Sequence, residues 1–179
     1  MDVFKTAIPG LFVIKTKVFG DERGFFTETH HQKKYSEAGI DCKFVQDNLS
    51  FSEKNILRGL HFQKNFPQAK LISVIQGEIF DVAVDIRPSS KTFGKWESII
   101  LSGDNHKQFF IPEGFAHGFC VLSKQAYVYY KCSEIYHPED EFGIHWSDPD
   151  IKIDWPVKNP IVSLKDQKNR SFQSLFGER

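Results

Sequence analysis

The run Gly77-Glu78-Ile79-Phe80-Asp81-Val82-Ala83-Val84-Asp85-Ile86-Arg87 constrains this chain more than any other stretch. Phe80, Val82, Val84 and Ile86 share one parity, while Asp81, Ala83, Asp85 and Arg87 share the other. Successive side chains on a strand point to opposite sides, so this period of two predicts a strand with one apolar face. Similar strand-like runs recur from the first residues to about position 136. They include 11–19, 70–76, 96–102, 108–122 and 125–136, separated by turn signals such as Gly20-Asp21-Glu22-Arg23-Gly24 and the Pro112/Gly114 bend. Helical signal is confined to 30–40, ended by Gly39, and to part of 163–177. Three prolines and two tryptophans between Trp146 and Pro160 exclude a long regular helix there and predict an aromatic-anchored segment packed over the sheet. Many short strands with turns between them imply an all-β sandwich or barrel with a few short helices. We expect one domain over 1–179, with 146–179 as an irregular or helical C-terminal segment.

Composition narrows the partners. The 23 basic and 23 acidic residues balance, and no long basic run appears, so nucleic acid and anionic membrane are poor expectations. Apolar runs fall well short of the roughly 18 residues needed to span a bilayer. Met1 to Gly10 lacks a basic segment followed by an apolar one, so no secretory signal is read there. Cys42, Cys120 and Cys132 are odd in number and widely spaced, which argues against a disulfide framework or a cysteine zinc site. A cytoplasmic location is expected.

Three constellations could carry chemistry. In Leu57-Arg58-Gly59-Leu60-His61-Phe62-Gln63, His61 has three open roles: structural residue, metal ligand or base. Strict alternation sends Arg58 and His61 to opposite faces; Gly59 would let the strand bulge and bring them together. The second is Pro112-x-Gly114-x-x-His117, which resembles the second motif of the cupin superfamily of double-sheet jelly rolls. Many cupins bind metal there, helped by a His-x-His pair in their first motif. Here the comparable residues are His61-Phe62-Gln63, so the second histidine is missing. Zinc or non-haem iron wants three or more well-placed ligands, and a metal-free barrel is expected. The third is an acid–base set. Removing a proton next to a ketone takes an imidazole with an orienting carboxylate, a cation or donor for the developing oxyanion, and a separate proton donor for the opposite face. His61, Asp166, Lys70 and Tyr130 have the right chemistry. Each also has a plain structural alternative: Lys70 as a strand end, Tyr130 as a core aromatic, Asp166 as a helix cap.

The stretches KTAIPG, KVFGDERGFFTET, FVQDNLSFS, NILRGLHFQ, GEIFDVAVDIR, TFGKW, IPEGFAHGF, YKCSEIY and SLKDQ run over nearly the whole chain. In number and order they resemble the dTDP-4-dehydrorhamnose 3,5-epimerase family. The resemblance implies a cupin-like jelly-roll barrel, a nucleotide-linked 4-keto-6-deoxyhexose as substrate, no cofactor and no metal. It implies His61 as base, Asp166 as its carboxylate, Tyr130 as proton donor and Lys70 as the cation near the ketone. It implies substrate contacts from Arg58, His117, Gln46, Asp47, Asn48, Glu141 and Lys165. It also implies a homodimer in which an N-terminal strand arm crosses over, so that Arg23 and Glu28 serve the neighbour's site. Bifunctional members often carry a further tyrosine in the segment Ser133-Glu134-Ile135-Tyr136, and this chain offers Ile135 and then Tyr136. Related alternatives are a single-centre epimerase, a 3,4-ketoisomerase on a similar barrel, and a sugar-binding or metal-dependent cupin.

Overall fold

A computed structural model describes residues 1–177; the expected C-terminal segment 146–179 thus ends just outside the described residues. Fourteen strands are described: β1 (Asp2–Lys5), β2 (Phe12–Lys15), β3 (Val18–Asp21), β4 (Gly24–Thr27), β5 (Gln46–Glu53), β6 (Ile56–Gln63), β7 (Lys70–Gln76), β8 (Glu78–Asp85), β9 (Trp96–Ser102), β10 (Lys107–Ile111), β11 (Phe115–Val121), β12 (Gln125–Cys132), β13 (Glu141–Gly143) and β14 (Ile161–Val162). Two short helices, α1 (Gln32–Glu37) and α2 (Phe172–Phe176), fall in the predicted helical stretches. The predicted strand at 11–19 divides. Thr16 bonds to the carbonyl of His106 at the end of β2, and β3 leaves the sheet to pair only with β4.

Two sheets face each other as a cupin-like jelly roll. One has the order β1-β2-β10-β7-β12-β5, and the other β13-β6-β11-β8-β9. The outer edge of β6 is shared by β13 and, in parallel, by β14. Ile72, Phe109 and Val128 from the first sheet meet Ile79, Leu101 and Phe119 from the second to form the inner core.

The outer faces are covered as well. Tyr35 and Ile40, around α1, pack on Ile14, Leu71 and Phe110. Ile151, Trp155 and Phe172 from the C-terminal segment pack on Leu60, Val82 and Val84, as the aromatic pattern of that segment predicts. The apolar parity of β8 therefore lies beneath the C-terminal cover, while Asp81 and Asp85 point inward and are fully buried. Buried carboxylates need partners. Asp85 accepts from Arg87 Nε (2.9 Å) and Nη2 (2.7 Å), and from the hydroxyls of Ser90 and Thr92, both at 2.6 Å. Arg87 also donates to the carbonyl of Pro9, tying the N-terminal loop to the end of β8.

Burial pushes the Asp85 carboxyl up, but Arg87, Ser90 and Thr92 outweigh it and bring its pKa from 3.8 to about 2. A lowered carboxylate pKa stabilises the fold fully above the ordinary value, and that contribution fades as pH falls towards 2. Asp85→Asn should cost about 2 kcal/mol at neutral pH, from roughly 1.36 kcal/mol per pKa unit. Denaturant unfolding at pH 7, 4 and 2 checks this: the gap between variant and parent should narrow at the acid end, and a constant gap contradicts the assignment.

Candidate active site

The site begins with a defect in one ladder. His117 pairs with His61, but Phe119 pairs with Arg58, so two steps along β11 oppose three along β6. The extra residue makes a bulge. Gly59 sits there at φ 120°, where a Cβ would lie 2.5 Å from Gly118 Cα and 2.7 Å from the His117 carbonyl. The bulge breaks the alternation, and Arg58 and His61 line the same cavity, as the sequence predicts for a deformed strand.

That cavity, of about 330 Å³, lies between the sheets where the inner core stops. It is large enough for a small-molecule ligand. Lys70 and Tyr130 line it from one sheet, His61 and His117 from the other. Gln46 and Asn48 reach it from β5. Asp47, of the opposite parity, does not: it turns outward to pair with Lys131 at 2.7 Å. Its predicted substrate contact is therefore not brought to this cavity, for the simple reason of strand alternation.

His61 and Asp166, 105 positions apart, meet at 2.6 Å between Nε2 and Oδ1. The second Asp166 oxygen accepts the Gly59 N–H at 3.3 Å, and the Asp166 N–H donates to Ser163 Oγ. Burial raises the Asp166 pKa, but the hydrogen bond and charge of His61, with Gly59 and Ser163, bring it below the ordinary value. An ionised Asp166 draws the imidazole proton to Nε2 and leaves Nδ1 free to accept one. His117 Nε2 makes a second buried pair with Asp81 Oδ1 at 2.8 Å. Burial holds the Asp81 carboxyl above its usual range despite that partner. Burial lowers the pKa of Lys70, against the opposing pull of Cys132, Glu141 and Asp81. It raises that of Tyr130 and so keeps the phenol protonated.

Glu141 and Lys165 form an ion pair at the rim, and Glu141 Oε1 lies 4.0 Å from His61 Nδ1. Tyr136 lines the cavity and donates to Glu141 Oε2 at 2.9 Å, whereas Ile135 is 51% exposed and does not line it. Tyr136 is thus the tyrosine offered by the 133–136 segment. Asp81 went unassigned by sequence reasoning, although an acidic residue on the inward parity of a buried strand was its signal. Cys132 was also missed; it lines the cavity beside Asn48, whose amide lies 3.6 Å from its sulfur.

Arg23 and Glu28 do not reach this cavity. Arg23, its side chain 85% exposed, pairs with Asp21, while Glu28 pairs with Lys34 in a separate groove of about 600 Å³ bordered by Phe19 and Phe26. Among the described residues no group of three or more His, Cys, Asp or Glu side chains is placed to hold a metal ion.

Three comparisons fit this arrangement. The sequence profile of the family described as dTDP-4-dehydrorhamnose 3,5-epimerase matches residues 5–174. A dTDP-4-dehydrorhamnose 3,5-epimerase of Shigella flexneri is 54% identical over 174 residues, covering 96% of each chain. The crystal structure of a dTDP-6-deoxy-D-glucose-3,5-epimerase from Legionella pneumophila, in complex with dTDP-4-keto-L-rhamnose, superposes with a TM-score of 0.93 at 53% identity. It covers 95% of this chain and 92% of that one.

Adding a methyl at Gly59 combines a disfavoured φ with collisions against backbone that cannot swing away. Gly59→Ala should lose about 2–5 kcal/mol, equivalent to roughly 2–4 °C of melting temperature per kcal/mol for a domain of this size. Thermal unfolding decides: a melting temperature within a degree of the parent contradicts the close approach.

Proposed function

This chain belongs to the dTDP-4-dehydrorhamnose 3,5-epimerase family, and from that premise we propose how its own residues carry the reaction. The enzyme epimerises dTDP-4-keto-6-deoxy-D-glucose at C3 and C5 to give dTDP-4-keto-L-rhamnose. His61, oriented by Asp166, removes the C5 proton through Nδ1. The C–H electrons move into the ring and onto the ketone oxygen, giving an enolate that the Lys70 ammonium stabilises. Tyr130 returns a proton from the other face. Proton exchange with water resets the imidazolium and the phenolate, and the sequence repeats at C3. The observation that carries this reading is that His61 and Tyr130 line one cavity from opposing sheets, as inversion at carbon requires. His117, held by Asp81, and Arg58, Gln46, Asn48, Glu141 and Lys165 surround the substrate. General acid–base help is typically worth about 10²–10⁴-fold per group.

Incubation with dTDP-4-keto-6-deoxyglucose in deuterium oxide tests the roles by proton NMR. The parent should incorporate deuterium at C3 and C5. His61→Asn should abolish incorporation at both carbons, and normal exchange in that variant removes it as the base. Tyr130→Phe should impair inversion more than exchange.

The chain is read as one domain acting in a homodimer. The β3–β4 hairpin supports this: Phe25 and Phe26 are 64% and 67% exposed, and the hairpin pairs with neither sheet of its own chain. Crossing to a partner would cover these rings and place Arg23 and Glu28 at the partner's cavity. Mixing Arg23→Ala with His61→Asn subunits then yields hybrid dimers with one intact site, since each supplies what the other lacks. Activity should reappear on mixing; an inactive mixture, with hybrids confirmed by mass, rules out the exchange.

A further inference from the structure

Tyr136 has no strand to hold it. It lies in the loop after β12, yet its ring lines the cavity and its hydroxyl reaches Glu141. The main chain around it is held by two side chains. Gln63 Nε2 donates to the carbonyl of Ile135 at 3.2 Å, and Gln63 Oε1 accepts the N–H of His137 at 2.8 Å. Between them, Gln46 Oε1 accepts the N–H of Tyr136 at 2.9 Å. Gln63 Nε2 also donates to the carbonyl of Phe66 at 2.7 Å. Only 6% of Gln63 is exposed, and both donors of its amide and its oxygen are engaged by main chain.

Gln63 is the second residue after His61 on β6, and it pairs across the ladder with Glu141. It occupies the place where a His-x-His motif would put a second metal ligand. Here its amide is directed to the loop. One side chain therefore fixes the backbone on both sides of Tyr136 relative to the strand that carries the base.

We propose that Gln63 is a positioning residue for the reaction, acting through Tyr136: it sets the place of the Tyr136–Glu141 pair against His61. The proposal rests on the epimerase reading of the cavity. Gln63 borders the cavity, but its amide is spent on the main chain of Phe66, Ile135 and His137. A misplacement of about 1 Å can cost on the order of 10²-fold in rate, so loss of the clamp should slow turnover through Tyr136.

The test compares Gln63→Ala, Tyr136→Ala and the double variant with the parent, using dTDP-4-keto-6-deoxyglucose in deuterium oxide. Gln63→Ala should turn over about 10- to 100-fold more slowly. The double variant should be no slower than Tyr136→Ala alone, because effects routed through one group do not add. Gln63→Glu keeps the acceptor for the His137 N–H and loses both donors, so its rate should fall between parent and Gln63→Ala. Effects that multiply in the double variant, or a parent-like rate in Gln63→Ala, overturn the proposal. A merely structural role would multiply. Amide hydrogen exchange provides a readout independent of turnover. Gln63→Ala should expose the 136–137 amides while β12 stays protected, and unchanged exchange there overturns the clamp. A parent protein that exchanges neither carbon overturns the epimerase reading and the positioning role together, and leaves amide exchange to judge the clamp alone.

Discussion

The structure depends on the close passage of β6 against β11. At Gly59 and Gly118 the two backbones approach so nearly that neither position has room for a side chain. The extra residue accommodated on β6 at this point turns Arg58 and His61 to the same side. It also presents the Gly59 N–H to Asp166, whose other oxygen holds His61. One backbone irregularity therefore orients the imidazole, helps keep its carboxylate ionised, and adds a cation to the cavity mouth. In a regular strand these three features would conflict, because period-two alternation separates residues 58 and 61.

Polar groups reach the interior because the sandwich has apolar cover on both outer faces. The C-terminal segment takes the apolar side of β8, and that leaves the inward side free to carry Asp81. Burial there is costly for a carboxylate and is offset only in part by His117. The same burial lowers the ammonium pKa of Lys70 and raises the phenol pKa of Tyr130. In the role proposed for Lys70, a cation with buried surroundings stabilises an enolate oxygen more strongly than one in bulk water, because the field is less screened. On the proposed mechanism the C-terminal cover thus serves the chemistry as well as the core.

Much of this was legible in the sequence, and the reasons are local. Alternation in 78–86 and the Pro112/Gly114 bend are short-range signals, and the strands fall where they predict. Gly59 announced the bulge because only glycine adopts that backbone readily. What alternation could not decide was which side of each strand faces the cavity. Asp47 was carried along with Gln46 and Asn48, and its parity sends it outward to Lys131. Asp81 escaped notice because a carboxylate between apolar neighbours reads as the solvent side of a strand until an outer cover is known. Tyr136 stayed ambiguous with Ile135 because a loop has no period; its place is set by glutamines 73 and 90 residues away in sequence.

The residue after Phe62 shows how one barrel can be committed to proton chemistry. In a metal-binding cupin the second histidine of a His-x-His pair points at the ion. At this position a glutamine aimed inward would offer a weak ligand and leave much of its amide unsatisfied. Here all of its hydrogen-bonding groups are taken by the backbone of two loops, at Phe66, Ile135 and His137. Asp140 adds to the same seam by accepting from the backbone of Asn65 and Phe66. Satisfying the glutamine on main chain ties the 64–69 and 133–141 loops together beside the cavity and holds a tyrosine at its wall. The residue that stands in the ligand's place thereby ties the cavity's edge together, and a fixed edge is what the proposed acid–base chemistry on two carbons of one ring needs, since each proton must be taken and returned at a defined place.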